Sequence, residues 1–344
     1  MSFLLKTRED RVWLVKVPTR LPLFPLPTPL HRLSRLSDRW GVELWIKRDD
    51  LTGFALGGNK VRKLEFLLAD AQAQGATHVL CSGASQSNLI RQAAVAGRVA
   101  GMSVTAVCMD QPFQGEGRSE VLPGAETGGN LALDSWSGLR RLRLPNATWD
   151  DLDAAVEEEA ARLTAAGENV YVLPLGGSSP LGAYAFYLAG EELSLQAHQP
   201  FDAIVTASSS GSTQVGLTTW FADSGTRVIG ISADPEPEIL DDLVDLSARF
   251  HAELGVGRAL TERDFDFRLD YVGPGYAIPS SAGGAALRDL VETEGIFLDP
   301  TYTAKAFAGL TDLVSRGELR GRILFWHTGG IPALFGAHGP VVEG

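Results

Sequence analysis

Cysteine is nearly absent from this chain of 344 residues, which contains only two. Both of them, Cys81 and Cys108, lie in apolar runs with the pattern of buried strands. So few cysteines exclude a disulfide framework, and we expect both to be buried free thiols in a reducing compartment. The cytoplasm is therefore the predicted location.

Long hydrophobic runs and an excess of positive charge are also missing. No apolar stretch approaches the ~20 residues that a membrane-spanning helix requires, and no apolar signal segment follows the charged residues of the N-terminus. The formal net charge is −12 at pH 7, whereas nucleic acids and anionic membranes bind basic surfaces. We therefore expect neither a nucleic acid nor a membrane as a partner.

Metal and nucleotide motifs are missing as well. The six histidines and two cysteines show no close ligand spacing, so no metal site is predicted. Gly53 and Gly58 have the glycine spacing of a P-loop. However, Asn59 separates glycine from lysine, and Val61 stands where a Mg²⁺-binding hydroxyl is required. Because no GxGxxG follows a strand either, kinase-like and NAD chemistry are disfavoured.

The sequence does contain an alternation of short β-branched runs and longer helical patterns. This alternation predicts an α/β fold with a mainly parallel sheet. Strands are predicted at 43–47, 78–82, 103–108, 170–174, 203–207, 227–232 and 322–327. Helices are predicted from Lys60 to before Gly75, over 89–100, from an N-cap at Thr148 to Gly167, and over 282–294. The polar stretch 110–120 is predicted to be a surface loop.

The most informative segment is GGNK at 57–60. Lys60 follows a glycine loop and stands where a helical pattern begins, with Arg62 and Lys63 nearby. The positive end of the helix dipole and these two neighbours disfavour the ammonium form of Lys60. A lysine that loses its proton near neutral pH is a nucleophile able to form a Schiff base. For an isolated motif, a turn with a solvated lysine would be the better interpretation.

Small and hydroxyl-bearing residues follow three of the predicted strands, at ends that face the ligand crevice of a parallel sheet. At 82–88, Ser87 and Asn88 stand at a predicted helix N-terminus, which suits a carboxylate or phenolate. A simple N-cap is the alternative for Ser87. At 327–330, Thr328 places a hydroxyl next to two glycines, which suits a planar ligand, although a turn fits this segment equally well.

The third of these segments, 208–216, lies between an apolar strand and an apolar helical run, so a serine–glycine linker is disfavoured. Its backbone N–H groups and hydroxyls predict a phosphate cradle formed by Ser210, Gly211, Ser212 and Thr213. Tyr276 and Tyr302 lie in glycine- and proline-rich settings, where packing tyrosines are the usual alternative. A Schiff-base lysine, a phosphate cradle and a ring-facing hydroxyl together indicate pyridoxal 5′-phosphate.

With these residues identified, the chain resembles the D-cysteine desulfhydrase / 1-aminocyclopropane-1-carboxylate (ACC) deaminase family of fold type II, tryptophan-synthase-β-like enzymes. The resemblance covers nearly the whole chain. The matching motifs are PTPL at 27–30, WIKRDD at 45–50, GGNKxRKLE at 57–65, QSN at 86–88, GNL at 129–131, GGSS at 176–179, GSTQ at 211–214, DPxYT at 299–303 and HTGGxPALF at 327–335.

The resemblance implies a role for each matching position. Lys60 is expected to carry the cofactor as a Schiff base, and Asn88 to bond its 3′-oxygen. Ser87 is expected to meet the substrate carboxylate, while Tyr276 and Tyr302 line the substrate side of the ring. The phosphate is expected to be held by Lys63, Gly211, Ser212 and Thr213.

The same resemblance places Thr303 and Thr328 near the pyridine nitrogen. ACC deaminases have glutamate and leucine at these two positions, and the desulfhydrases have hydroxyls. A carboxylate beside that nitrogen makes a stronger electron sink, which helps to open a ring without an α-hydrogen. A hydroxyl is sufficient when a good leaving group departs from the β-carbon. Leu89 and the pair Ala185-Phe186 depart from the family pattern, and Leu89 removes a polar group near the substrate end.

The implied function is that of a pyridoxal-phosphate lyase performing α,β-elimination on a small amino acid. D-cysteine, converted to pyruvate, ammonia and hydrogen sulfide, is the leading candidate. The alternatives are an ACC deaminase, an L-cysteate sulfo-lyase and a non-catalytic cofactor-binding protein. The implied architecture is two open twisted, mainly parallel sheets flanked by helices. A small domain (57–170) is inserted into a large one (1–56 plus 171–344), with the cofactor in the interdomain cleft of each homodimer subunit.

Overall fold

The computed structural model describes residues 3–5, 13–15, 17–110, 127–145 and 147–336. Beyond Asp110, the loop predicted at 110–120 lies outside these residues. Within them, the strands in chain order are β1 Phe3–Leu5, β2 Trp13–Val15, β3 Leu30–Arg32, β4 Glu43–Arg48, β5 His78–Ala84, β6 Ser103–Met109, β7 Arg140–Leu144, β8 Val170–Val172, β9 Ala203–Ser208, β10 Arg227–Ser232, β11 Asp266–Arg268 and β12 Arg322–His327.

The α-helices of the same ranges flank these strands. In chain order they are α1 Ser34–Trp40, α2 Lys60–Ala73, α3 Asn88–Val99, α4 Gly129–Trp136, α5 Trp149–Ala165, α6 Pro180–Gln196, α7 Ser212–Phe221, α8 Ile239–Leu254, α9 Ser281–Glu294 and α10 Thr303–Ser315. None of the helices in the described part of the chain is long and apolar enough to cross a membrane.

Two mainly parallel sheets organise the molecule, which confirms the predicted fold class. The larger has the strand order β11-β10-β9-β12-β4-β3, and only β3 runs antiparallel to its neighbour. The smaller has the order β7-β6-β5-β8 and is parallel throughout. The carboxyl ends of β5 and β9, one in each sheet, lead into the loops that the sequence singled out.

All seven predicted strands form, and β10 and β12 have the predicted bounds. Within the described ranges, the strands that were not predicted from the sequence are either short strands at a sheet edge or strands rich in charged residues. The strand β7, for example, contains Arg140, Arg141 and Arg143. It pairs through its backbone with β6, its arginines remain exposed, and Leu142 and Leu144 pack against the core. The alternation of polar and apolar residues from Arg141 to Leu144 was a usable signal that the prediction missed.

Helix boundaries follow the predicted capping signals closely. The Thr148 hydroxyl accepts a hydrogen bond from the Asp151 N–H (3.1 Å), and the Asp151 carboxylate accepts one from the Thr148 N–H (2.9 Å). This reciprocal pair is a capping box at the start of α5. The helix α9 ends where Gly295 adopts a left-handed conformation with φ +71°, which glycine tolerates without steric cost.

The domain boundaries remain a proposal, and strand pairing bears on one of them. The strand Val170–Val172 pairs with β5 in the smaller sheet. The predicted boundary between residues 170 and 171 therefore cuts a strand of that sheet.

Both thiols, Cys81 and Cys108, are buried and unpaired in β5 and β6 of the same sheet, as predicted.

A buried ionic network connects α2 to the larger sheet. The guanidinium of Arg62 bonds the Asp49 carboxylate (2.8 Å), which follows β4, and the Glu192 carboxylate (2.8 Å) of α6. The indole N–H of Trp326 in β12 also donates to Asp49 at 2.9 Å. Arg62 is only 4% exposed and Asp49 is fully buried. The first turn of α2 is therefore fixed at one position relative to β4, β12 and α6.

We predict that Arg62→Met lowers the free energy of unfolding by about 3–5 kcal/mol, because it leaves the fully buried carboxylate of Asp49 without its cation. Urea denaturation of the purified protein measures the change. The matched control is Arg249→Met, since Arg249 is 61% exposed and its ion pair with Glu253 is worth ~1 kcal/mol at most. Equal effects of the two substitutions would contradict the structural role assigned to this network.

Candidate active site

A cavity of about 620 Å³ lies where strand ends of both sheets meet. Ser82, Gly83 and Ala84 from the end of β5 line one side, and Ala207 and Ser208 from the end of β9 line the other. The predicted residues that line it are Lys60, Lys63, Ser87, Asn88, Ser210, Gly211, Thr213, Tyr276, Tyr302 and Thr328. Two predicted residues, Ser212 and Thr303, are fully buried outside this lining.

Lys60 is the first residue of α2, and its amine reaches the cavity. Its Nζ donates to the carbonyl oxygen of Gly176 at 2.9 Å. Burial lowers the pKa of Lys60 to about 8, although a hydrogen bond with Lys63 and the charge of Asp234 act in the opposite direction. A substantial fraction of this amine is therefore unprotonated in mildly alkaline solution, as a Schiff-base lysine requires.

From the sequence, the lowered pKa of Lys60 is attributed partly to the positive charge of Arg62, and this attribution is wrong. The Arg62 guanidinium is held by Asp49 and Glu192, whose charges compensate its own. Burial is the main cause instead. Lys63 does lie beside Lys60, since its Nζ is 3.3 Å from the same Gly176 carbonyl oxygen, but its hydrogen bond raises the pKa of Lys60 instead of lowering it. Burial and the charge of Lys60 keep the pKa of Lys63 well below its ordinary value.

The N-terminus of α7 brings together the residues of the predicted anion cradle. Gly211 precedes this helix with φ +92°, and Ser210 and Thr213 border the cavity on either side of it. Among the described residues, the buried hydroxyl of Ser212 has no hydrogen-bond partner. An unsatisfied hydroxyl, free N–H groups of a helix start and the amine of Lys63 fit a phosphate group.

The start of α3 forms the opposite side of the cavity. The Ser87 hydroxyl accepts a hydrogen bond from the Ile90 N–H (3.3 Å), so Ser87 is an N-cap and also lines the cavity. The Asn88 amide oxygen accepts from Asn130 at 3.1 Å and from Arg91 at 3.4 Å. These contacts orient the amide so that its NH₂ group is available as a donor to a ring oxygen.

The two tyrosines come together as a pair. Their hydroxyls are hydrogen-bonded to each other, and the ring centroids of Tyr276 and Tyr302 are 6.0 Å apart. Burial raises the pKa of both phenols, which therefore remain protonated at neutral pH. Trp149, the first residue of α5 beside the smaller sheet, packs with its ring centroid 6.1 Å from that of Tyr276.

The two threonines predicted near the pyridine nitrogen have different environments. Thr328 lines the cavity, and its carbonyl oxygen accepts from the Asn59 N–H at 2.9 Å. Thr303 instead lies behind the wall at the start of α10, where its hydroxyl bonds the Asp299 carboxylate at 2.7 Å. The same carboxylate accepts from the Tyr302 N–H at 2.9 Å. Thr303 and Asp299 thus fix the backbone that carries Tyr302.

Sequence reasoning missed two buried charged residues of this region. Asp234 follows β10, lines the cavity and accepts a hydrogen bond from the Ser209 hydroxyl. Asp234 lies just after a predicted strand, and this position could have identified it as a site residue from the sequence. Lys305 is fully buried in α10 and donates to the Gly275 carbonyl oxygen at 2.7 Å, next to Tyr276. No local pattern distinguishes it from a solvated helix lysine.

No group of three or more metal-ligating side chains is assembled in the part of the chain that the structure describes. The polar side chains at the starts of α2, α3 and α7 are amines, amides and hydroxyls, which suit an anionic, planar organic cofactor.

Comparison with known proteins indicates a cofactor that these polar side chains suit. Residues 21–329 match the model of the family described as pyridoxal-phosphate dependent enzyme. The chain is 38% identical over 323 residues to a D-cysteine desulfhydrase of Salmonella newport (strain SL254), with 93% of this chain and 96% of that protein covered. A D-cysteine desulfhydrase of Klebsiella pneumoniae (strain 342) matches with the same identity and coverage.

Comparison with solved structures supports the same family assignment. A crystal structure described as an ACC deaminase homologue superimposes with a TM-score of 0.83 at 35% identity, covering 93% of this chain and 94% of that one. The processed form of threonine deaminase isoform 2 from Solanum lycopersicum superimposes with a TM-score of 0.62 at 17% identity, covering 89% and 80% of the two chains. The second likeness concerns the fold alone. This chain belongs to the pyridoxal-phosphate dependent enzymes, within the D-cysteine desulfhydrase / ACC deaminase group.

Proposed function

We propose that this enzyme is a lyase that catalyses α,β-elimination on a small amino acid, with D-cysteine as the leading substrate. D-cysteine and water would give pyruvate, ammonia and hydrogen sulfide. The observation that carries the proposal is the amine of Lys60, whose pKa burial lowers to about 8, in a cavity that also contains Asn88 and the tyrosine pair. The names of the Salmonella and Klebsiella relatives support the choice of substrate.

In this proposal Lys60 carries the cofactor, and Asn88 donates to its ring oxygen. Thr328 faces the ring nitrogen, with Thr303 behind it. The phosphate is held by Lys63, Ser210, Gly211, Ser212 and Thr213. When bound, pyridoxal phosphate accepts the electron pair that remains on the substrate α-carbon after deprotonation.

The protein's own groups then bind the substrate and move its proton. The amine of Lys60, whose pKa is lowered by burial, would take the α-proton as a general base. Ser87 and the start of α3 hold the substrate carboxylate, since a helix N-terminus stabilises negative charge. Tyr276 and Tyr302 keep their protons. Because one hydroxyl of the pair donates to the other, the second is the one that donates a hydrogen bond to the departing sulfur. Trp149 packs on Tyr276 and limits the entry of water.

ACC deamination is the second candidate, favoured by the similarity to the ACC deaminase homologue. The residue types at positions 303 and 328 argue against it: position 303 carries no carboxylate, and the hydroxyl of Thr328 in the lining makes a weaker electron sink than a carboxylate. L-cysteate elimination requires a basic side chain at the sulfonate. Among the described lining residues, the lysines and arginines are limited to Lys60 and Lys63, which this proposal assigns to the cofactor.

The same proposal includes a cytoplasmic homodimer in which residues 57–170 form the inserted small domain. A homodimer is what the family resemblance implies, and the scarcity of cysteine supports a reducing compartment.

The substrate assignment predicts a specific product pattern. Purified holoenzyme supplied with D-cysteine, L-cysteine, ACC and L-cysteate should release pyruvate with sulfide from D-cysteine, and little 2-oxobutyrate from ACC. Product-specific colorimetric and chromatographic assays measure each. Rapid formation of 2-oxobutyrate would establish the second candidate instead, and inactivity on all four would favour a non-catalytic cofactor-binding protein or an untested substrate.

Replacement of Lys60 should abolish both catalysis and covalent cofactor attachment. We expect Lys60→Ala to lower kcat by at least about a thousandfold, because the base and the attachment point are lost together. The holoenzyme absorbance at about 410–430 nm should also disappear. Lys63→Arg is the matched control, since it keeps the amine of Lys60 and a cation near the phosphate cradle. Retention of the absorbance band in Lys60→Ala would show that another residue binds the cofactor.

The lowered pKa of Lys60 predicts how cofactor attachment depends on pH. Only the neutral amine attacks the aldehyde, so the attachment rate should fall about tenfold per pH unit below 8 and level off above it. Stopped-flow absorbance after mixing apo-protein with pyridoxal phosphate between pH 6 and about 10 measures this rate. A rate that still increases steeply above pH 9 would indicate an amine with the ordinary pKa of lysine.

A further inference from the structure

The cavity has walls of opposite charge. At one end, the amines of Lys60 and Lys63 share the carbonyl oxygen of Gly176. Elsewhere the acidic side chains of the lining are Asp150, Asp234, Glu236, Glu238 and Asp242. A substrate that enters therefore meets basic side chains only where the cofactor is proposed to bind, and acidic side chains around the rest of its path.

Asp234 differs from the other four carboxylates. It is 6% exposed, while Glu236 is half-buried and the remaining three are exposed. Its carboxylate is fixed by the hydroxyl of Ser209. It also lies close enough to Lys60, Tyr276 and Tyr302 to affect their pKa values. A fixed carboxylate therefore lines the same cavity as Lys60, Tyr276 and Tyr302, the groups that are proposed to contact the substrate.

We propose that Asp234 is a specificity-determining residue that restricts this site to amino acids whose β-substituent carries no negative charge. The inference rests on the proposed function, because it requires a small amino acid bound between Lys60 and the tyrosine pair. It goes further by excluding a substrate class. A neutral thiol or a cationic β-substituent is accepted, whereas a sulfonate or carboxylate at the same position is repelled.

The physical basis is repulsion between like charges in a site with little water. Two negative charges a few ångströms apart repel strongly where the effective dielectric constant is low. Salt screens the exposed carboxylates at the cavity mouth but screens a buried one much less. Burial raises the pKa of Asp234 to about 6, so this carboxylate is ionised at pH 8, where the neutral form of Lys60 is also well populated.

Binding of D-asparagine and D-aspartate to the holoenzyme tests the proposal. The two have the same shape, differ by one negative charge and lack a good β-leaving group, so binding is measured without turnover. The change in cofactor absorbance on titration at pH 8 gives the two Kd values. We expect wild type to bind asparagine at least roughly tenfold more tightly, also at high salt. L-asparagine and L-aspartate are titrated in parallel, so that a preference of the site for one enantiomer is not mistaken for an effect of charge.

In Asp234→Asn and Asp234→Ser the Kd ratio should approach one. Unchanged cofactor absorbance without ligand shows that a variant is folded and loaded. The matched control is Asp241→Asn, because Asp241 is exposed on α8 and does not line the cavity. This variant should keep the wild-type ratio.

A wild-type ratio near one, or a ratio that both Asp234 variants leave unchanged, would overturn the proposal. If no amino acid, including D-cysteine, altered the cofactor spectrum, the proposed function itself would fail, and this inference with it. That outcome differs from the first two, in which ligands bind but Asp234 does not discriminate between them.

Discussion

The buried ion pairs of Arg62 with Asp49 and Glu192 are the interaction on which the rest of the site depends. They fix α2 against the end of β4 and against α6. Lys60 begins this helix, so its amine reaches the cavity only if the helix keeps that position. The network therefore has a positioning role: it compensates its own charges and leaves the charge of the neighbouring lysine to be controlled by burial.

Burial has opposite consequences for the buried acids and the buried bases of the cavity. It lowers the pKa of Lys60 and Lys63, which favours a neutral amine. It raises the pKa of Tyr276 and Tyr302, which keeps them as hydrogen-bond donors. A nucleophilic amine and neutral phenols thus coexist in one cavity at the same pH. Asp234 remains a fixed anion there above about pH 6, and in our proposal it sets which substrate charge the site accepts.

Much of this arrangement could be predicted from local sequence. The strands β10 and β12 are apolar runs with clear boundaries, and Thr148 and Asp151 form a capping box three residues apart. Lys60 was placed correctly because glycines and a helical pattern mark its position. The partners of Arg62 could not be predicted, since Glu192 lies 130 residues away. Proximity of that kind arises only when α2 packs against α6, and no local pattern encodes it.

The central claim is that the amine of Lys60, of all amines in the protein, bonds the cofactor aldehyde. The most direct measurement is borohydride reduction of the holoenzyme, followed by proteolysis and mass spectrometry of the labelled peptides. The account predicts the phosphopyridoxyl group on Lys60 alone, with Lys63 and Lys305 unmodified although burial lowers the pKa of both. A label on either of these lysines, or no label on Lys60, would contradict the account.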